Sequence, residues 1–388
     1  MGGSEICRSR IYVMLRGEPM SRILILGGYG STGQSLARHL LVQSTAEIVI
    51  AGRHLERAQA FEDELNEEFG GGRVSAAQAD AASRADLLRV LSGVELLLVA
   101  APAARHAETV IQAALQSGVD YLDVQLDVKK LACLKAFAPE IKRAGRCFIT
   151  EAGFHPGLPS ALVRYAASQL ERLDSAHLAG YLNIGGSIPY SEAVDELMGA
   201  FRDYQAQVYK EGTWTKSNSF DMRKVDFGGQ IGVRRCYSMF FEELRELPEM
   251  IPSLREVGFY MSETHWMTDW IVTPLVLGGL KLAPRRGIRP LGRLMWWAMT
   301  SLPRPPHLVL IKAEATGELA GRPARIDVQV SHRDGYELTA IPVVACLLQY
   351  MDRSSRRPGL WMMGHLVDPV RLLKDMARMG ASVSSALS

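Results

Sequence analysis

Three glycines, Gly28, Gly30 and Gly33, are spaced so that a bare backbone could approach a charged ligand. They lie in the run Leu26-Gly27-Gly28-Tyr29-Gly30-Ser31-Thr32-Gly33. Residues 22–26 before them are apolar, with β-branched members. Residues from Thr32 to about Val42 carry an apolar stripe at Leu36, Leu40 and Leu41, as a helix does. A Gly-x-Gly-x-x-Gly turn between a strand and a helix is a dinucleotide-binding turn. In that reading Gly28 permits the tight turn, Gly30 lets a pyrophosphate approach the backbone, and Gly33 lets the helix pack against the sheet. The N–H groups and the dipole at the helix start favour the phosphate charge. A nucleotide-triphosphate loop would need a lysine where this chain has Gln34, which argues against that rival.

The tip of the second strand decides which dinucleotide is expected. An NAD site places a carboxylate there for the ribose 2′-hydroxyl. Here residues 50–54 read Ile-Ala-Gly-Arg-His, without a carboxylate. Arg53 offers a guanidinium fork to a 2′-phosphate, so NADP(H) is the expected cofactor. Arg57 could assist, although on a charged helix it also reads as solvated. The expected cofactor contacts are Gly28, Tyr29, Gly30, Ser31, Thr32, Gly33, Gly52 and Arg53. To these are added Ala100, Ala101 and Pro102, which end the fourth strand at the carboxyl edge where an open α/β sheet binds its ligand.

The elements that position these residues alternate. Strands are expected at 22–26, 47–51, 74–79, 94–100, 120–124 and 146–150. Helices are expected at 32–42, 55–69, 83–91, 105–117 and 128–143. Such alternation predicts an α/β fold, a Rossmann-type doubly wound parallel sheet, with right-handed crossovers. Further on, 308–316 and 325–332 alternate like half-buried antiparallel strands, and 368–379 reads as a final helix with Asp368 as N-cap and Pro369 in the first turn.

Bulk properties narrow the class. The net charge of +2 gives no footprint for nucleic acid. The five cysteines are scattered, with no CxxC and no zinc spacing, which fits a reducing cytoplasm; no metal is expected. Residues 1–20 are read as a leader, disordered or an over-long start, since they lack the apolar stretch of a secretory signal. The apolar run near 266–282 is too short and too interrupted for a membrane span. Its tryptophans, followed by Arg285 and Arg286, also allow a membrane-surface contact, with buried helix or oligomer contact preferred.

Four segments follow one another along the chain: Gly27–Gly33, Ala51-Gly52-Arg53, Gly118-Val119-Asp120-Tyr121-Leu122-Asp123, and Glu151-Ala152-Gly153-Phe154-His155-Pro156-Gly157-Leu158-Pro159-Ser160. Together they resemble the saccharopine dehydrogenase / saccharopine reductase family. The resemblance is good over 21–165, thin through 190–300, and returns at Gly335–Pro342. It implies a dinucleotide-binding domain (21–155), a second α+β domain for substrate contacts and often dimerisation (156–345), and a C-terminal segment (346–388) that packs back on the first. It also implies hydride transfer to or from a C=N bond of an amino-acid-derived substrate, and a homodimer. Two departures stand out. The family's asparagine and glycine in the loop after the fourth strand are Ala100-Ala101-Pro102 here, and no clear cationic substrate-binding set is visible.

Asp123, at the end of the fifth strand, is the first catalytic candidate, for proton transfer or substrate orientation. His155 is the second, since an imidazole can act as acid or base near neutral pH. Glu151 brackets the same glycine turn, and Tyr121 reads as packing. Arg164, Arg234 and Arg235 do not stand out from solvated arginines. The middle segment is rich in Trp and Met: Trp266, Met267, Trp270, Met295, Trp296, Trp297 and Met299. Were these to line the pocket, the substrate would be apolar. Three readings therefore stand: C=N chemistry, reduction of a C=C or C=O bond in an apolar substrate, and a non-catalytic NADP-binding protein at a lipid surface.

Overall fold

The computed structural model describes residues 21–184, 190, 194, 195, 198, 205–217, 221–263, 265–283 and 286–388. The expected leader, 1–20, and Arg285 lie outside the described residues.

The first layer alternates as its sequence pattern requires. Strands β1 (Arg22–Leu26), β2 (Glu47–Gly52), β3 (Val74–Gln78), β4 (Leu96–Val99), β5 (Asp120–Asp123) and β6 (Cys147–Thr150) alternate with helices α1 (Ser31–Gln43), α2 (Leu55–Phe69), α3 (Arg84–Val90), α4 (Ala107–Ser117) and α5 (Val128–Arg143). The strand order β3-β2-β1-β4-β5-β6 reverses at β1 and β4, and every pairing is parallel. The two faces of this sheet are separately buried. Leu24, Leu26, Leu97, Val99, Tyr121 and Phe148 join one core. Ile23, Ile25, Leu96, Leu98, Leu122 and Ile149 join the other, which continues into the second sheet.

Helix α6 (Leu158–Gln169) carries the chain onward. Seven of its residues are buried, because it packs against the second sheet on one side and the C-terminal helices on another. The second sheet has nine strands: β7 (Arg172–Asn183), β8 (Gln207–Lys210), β9 (Thr213–Lys216), β10 (Met222–Asp226), β11 (Val233–Met239), β12 (Glu256–Ser262), β13 (Leu308–Leu319), β14 (Arg322–His332) and the C-terminal β16 (Ser382–Leu387). Its path runs β10-β11-β12-β7-β13-β14-β16, with β7 and β12 parallel and β8 and β9 attached beside β12. The fold is thus a Rossmann-type parallel sheet followed by a second, mixed sheet.

Between β11 and β13 lie a short helix α7 (Leu247–Met250) and two longer ones, α8 (Thr273–Leu282) and α9 (Ile288–Ser301). After β14 the chain turns back toward the first sheet at Gly335, earlier than residue 346. Helix α10 (Gly335–Met351) packs against α1, and β15 (Gly359–Met362) adds a seventh parallel strand beside β6. Charged contacts hold this return. Buried Asp120 accepts hydrogen bonds from the Tyr350 hydroxyl at 2.7 Å and Arg356 Nε at 3.0 Å. His39 Nε2 on α1 meets Glu337 Oε2 on α10 at 2.6 Å. A helical turn α11 (Met363–Leu366) and α12 (Pro369–Arg378) follow, the latter capped by Asp368, which accepts from Arg371 N at 2.8 Å. The last strand, β16, leaves the first layer again and pairs with β14.

Candidate active site

The glycine turn sits at the carboxyl ends of β1 and β4, where the strand order reverses and a crevice opens outside the sheet. The tight turn falls on Gly27, not Gly28: Gly27 has φ 87°, a left-handed conformation that a side chain disfavours. A Cβ on Gly27 would also lie 2.7 Å from the Ala101 nitrogen. Gly28 is constrained by space instead, with Ile25 O 3.0 Å from a would-be Cβ. A Cβ on Gly33 would stand 2.3 Å from Gly27 O, so only glycine lets α1 begin this close to the turn. Gly30, by contrast, would meet nothing nearer than Gly27 O at 3.2 Å, which leaves its outer side free for a ligand.

Gly30 is also the N-cap of α1, and no side chain caps that helix. The N–H groups of its first turn therefore remain for an anion. Gln34 braces the turn by donating from Nε2 to Tyr29 O at 3.0 Å, a structural use of the position a phosphate loop gives to lysine. These features fit a dinucleotide pyrophosphate.

Tyr29 links the turn to β2. Its ring lies against Gly52, where a Cβ would come within 2.5 Å of it. Its hydroxyl accepts from His54 N at 3.2 Å, and the Arg57 guanidinium stacks over its ring at 4.7 Å from the centroid. Arg53 is exposed at the β2 tip beside them, and its carbonyl accepts from Gln78 Nε2 at 3.1 Å. Three of the expected contacts thus meet at the β2 tip, and Ala101 lies against Gly27 on the β4 side of the turn. Ala100 N donates to Leu26 O at 2.9 Å.

Asp123 ends β5 at the same edge, but its carboxylate is fully buried and engaged. Oδ1 accepts from Lys130 Nζ at 2.7 Å and Gln125 N at 3.0 Å, and Oδ2 accepts from Thr150 Oγ1 at 2.7 Å. Lys130, on α5, is itself fully buried. It donates further to Gln125 O at 2.6 Å and Thr150 Oγ1 at 2.9 Å. The pair is satisfied on every side, as a buried ion pair must be. Gln125 carries the network to the crevice by donating from Nε2 to Ala101 O at 2.6 Å. The geometry gives Asp123 and Lys130 the work of fixing the β4 and β5 loops. Tyr121, on the same face of β5, stacks on Phe148 at 5.1 Å. Burial, and then the nearby Asp123, push its phenol well above the ordinary range.

Glu151 follows β6 in a left-handed conformation, φ 52°, unusual for a residue with a side chain. It is buried, and its Oε2 has no hydrogen-bond partner. Burial pushes its carboxyl up to about 8, with Lys130 opposing and Glu243 reinforcing the shift. Glu243 is also buried, but it is satisfied: it accepts from Gly157 N at 2.7 Å, Ser160 N at 3.1 Å and the Ser160 hydroxyl, closing the start of α6. Burial raises its carboxyl too, against those hydrogen bonds. Glu151 therefore carries a proton at neutral pH.

His155 lies between Phe154 and Phe241, with ring centroids 4.4 and 5.9 Å away. Burial holds it down to about 4, so it is a neutral imidazole at pH 7 and can accept a proton but has none to spare. The arginines weighed in the sequence are occupied. Arg164 donates to Gly364 O and Val367 O, Arg234 to Ile231 O, and Arg235 to Glu263. Sequence reasoning missed Lys130, Thr150, Gln125 and Glu243. The signal for Lys130 was its place four residues before Leu134 on the buried stripe of α5.

Comparison with known proteins agrees with this geometry. Residues 23–147 match the saccharopine dehydrogenase NADP binding domain. A carboxyaminopropylagmatine dehydrogenase from Synechocystis sp. is 25% identical over 260 residues, 63% of this chain and 62% of the relative. A carboxynorspermidine synthase from Vibrio cholerae serotype O1 is 24% identical over 409 residues, 91% of this chain and 94% of the relative. The fold is that of the L-Glu-forming saccharopine dehydrogenase from Saccharomyces cerevisiae, with a TM-score of 0.68 and 14% identity, covering 95% of this chain and all of that one. Residues 23–147 thus form a domain similar to the saccharopine dehydrogenase NADP binding domain, and the carboxyl edge between β1 and β4 is its candidate dinucleotide site.

Proposed function

We propose that this chain is an NADP(H)-dependent reductase or dehydrogenase of a C–N bond, acting on an amine that also carries a carboxyl group. The observation that carries the reading is the near full-length relative named for carboxynorspermidine, a carboxylated amine. The Synechocystis relative, named for another carboxylated amine, supports it. The choice of NADP(H) rests on Arg53 and on the absence of a carboxylate at positions 50–54.

Bound NADPH would supply hydride to the imine carbon, and a proton must reach the nitrogen to give the amine. The chain's part is positional and electrostatic. The glycine turn and the start of α1 would hold the pyrophosphate. The Lys130–Asp123–Gln125 network fixes the backbone at Ala101, which would border the bound cofactor. Glu151 keeps a neutral carboxyl near the same edge, so no second negative charge opposes the Asp123–Lys130 pair. His155 stays uncharged beside the turn that follows β6. The test is NADPH consumption with a panel of diamines and guanidino amines, each paired with a carboxylated aldehyde. Turnover only with amine and carbonyl together supports the reading. Turnover with the carbonyl compound alone, or with an isolated alkene, would replace it with the C=O or C=C alternative.

A further inference from the structure

Among the described residues, fifteen large apolar side chains are exposed, and seven lie between 266 and 297: Trp266, Trp270, Ile271, Leu275, Leu277, Leu282 and Trp297. They belong to one helical unit. A π-helical turn at Thr268–Val272 runs into α8, and α9 packs back against it. The inner faces are closed: Val272, Val276 and Leu280 bury against Met295 and Ala298, and a Cβ on Gly279 would lie 2.8 Å from Leu291. The outer face is therefore not spare core material. Ile271, Leu275 and Leu282 recur at helical spacing with Gly278 between Leu275 and Leu282, and Leu275 and Leu282 are 53% and 90% exposed.

The charge of this segment is one-sided. Residues 266–306 contain six cations, Lys281, Arg285, Arg286, Arg289, Arg293 and Arg304, against one acid, Asp269 in the π-helical turn, in a chain whose net charge is only +2. Lys281, Arg286, Arg289, Arg293 and Arg304 are exposed. On α9, Arg289, Arg293 and Trp297 form one exposed stripe at four-residue spacing.

We propose that this helical unit docks on an anionic lipid surface, with the apolar face of α8 entering the headgroup boundary and the cations of α8 and α9 over the lipid phosphates. Charge decides the occupant. A second copy brought face to face across a two-fold axis would set the same cations against themselves. An anionic bilayer complements them, and exposed tryptophans suit its interface. No helix among the described residues is long and apolar enough to cross a membrane, so the contact is one of lying on the surface.

The test is cosedimentation of the full chain with vesicles of phosphatidylcholine alone or mixed with phosphatidylglycerol. Binding to the anionic vesicles should exceed that to neutral ones by about tenfold at low salt and fall as salt rises. Ile271→Glu with Leu275→Glu, and separately Arg286→Glu with Arg289→Glu, should each lower it by roughly tenfold while NADPH affinity is kept. Equal or absent sedimentation with both vesicles would overturn the proposal. So would a dimer in light scattering that Leu275→Glu dissociates while vesicle binding is unchanged, because a second copy would then be the occupant.

Discussion

Replacing Lys130 with methionine tests whether the buried charge network organises the carboxyl edge of the first sheet. Methionine keeps most of the lysine stem's volume, so the packing cost is small. The electrostatic cost is large, since fully buried Asp123 loses the 2.7 Å partner on Oδ1. Gln125 O and Thr150 Oγ1 each lose a donor as well. Breaking a fully buried pair by removing one member costs about 3–5 kcal/mol. In a chain of this size that corresponds to a fall in Tm of roughly 5 °C. The assay is urea and thermal unfolding of Lys130→Met, Asp123→Asn and the double variant, followed by circular dichroism. The double variant removes both charges and leaves a carboxamide oxygen at position 123 able to accept from Thr150. It should recover at least about 2 kcal/mol relative to the sum of the single losses. A Lys130→Met protein within about 1 kcal/mol of the parent would refute the reasoning, because Asp123 would then not depend on this lysine.

Three further outcomes follow from the site. Gly33→Ala forces a Cβ toward Gly27 O and should weaken NADPH binding on the order of tenfold or more by fluorescence titration, with the second sheet unaffected. Arg53→Asp should weaken NADPH much more than NADH; equal effects on both would remove the argument from the β2 tip. Glu151 is protonated in the folded chain up to about pH 8 but ionises near 4.5 when unfolded. The folded state holds the extra proton, so stability is lost as pH rises through that window. Glu151→Gln should flatten the decline, and a variant with the parent's pH dependence would show that Glu151 is not the buried acid.

How much of this was legible in the sequence depends on where each element packs. The strands and helices from β1 to β6 stand out because they are buried on one stripe or on both faces, so apolar runs such as 96–99 and 22–26 mark them directly. The strands from β7 to β12 are harder to see, since they are partly exposed and carry charges within them, as in Val233–Met239. β15 is a four-residue strand whose partner, β6, lies more than 200 residues earlier, and no local pattern announces such a pairing. Within the site, the glycines were readable by their spacing between a strand and a helix, although the tight turn itself falls on Gly27. Lys130 was harder to read, because a lysine beside Lys129 looks solvated unless its place on the apolar stripe with Leu134 and Ile141 is weighed. Asp123 was placed correctly at the carboxyl edge, but only the fold shows it occupied by Lys130, Thr150 and Gln125. The Trp- and Met-rich segment divides in the structure: Met295 is buried, while Trp266, Trp270 and Trp297 face outward.

A titration of the purified chain with NADPH and NADH, followed by addition of amine and carboxylated aldehyde while the reduced-nicotinamide absorbance is recorded, bears on the dinucleotide crevice and the C–N chemistry together. NADPH is expected to bind more tightly than NADH, and absorbance to fall only when both co-substrates are present. Binding of neither dinucleotide would contradict the assignment at the crevice itself, and NADPH binding without turnover on any amine–aldehyde pair would contradict the C–N chemistry while leaving the cofactor site standing.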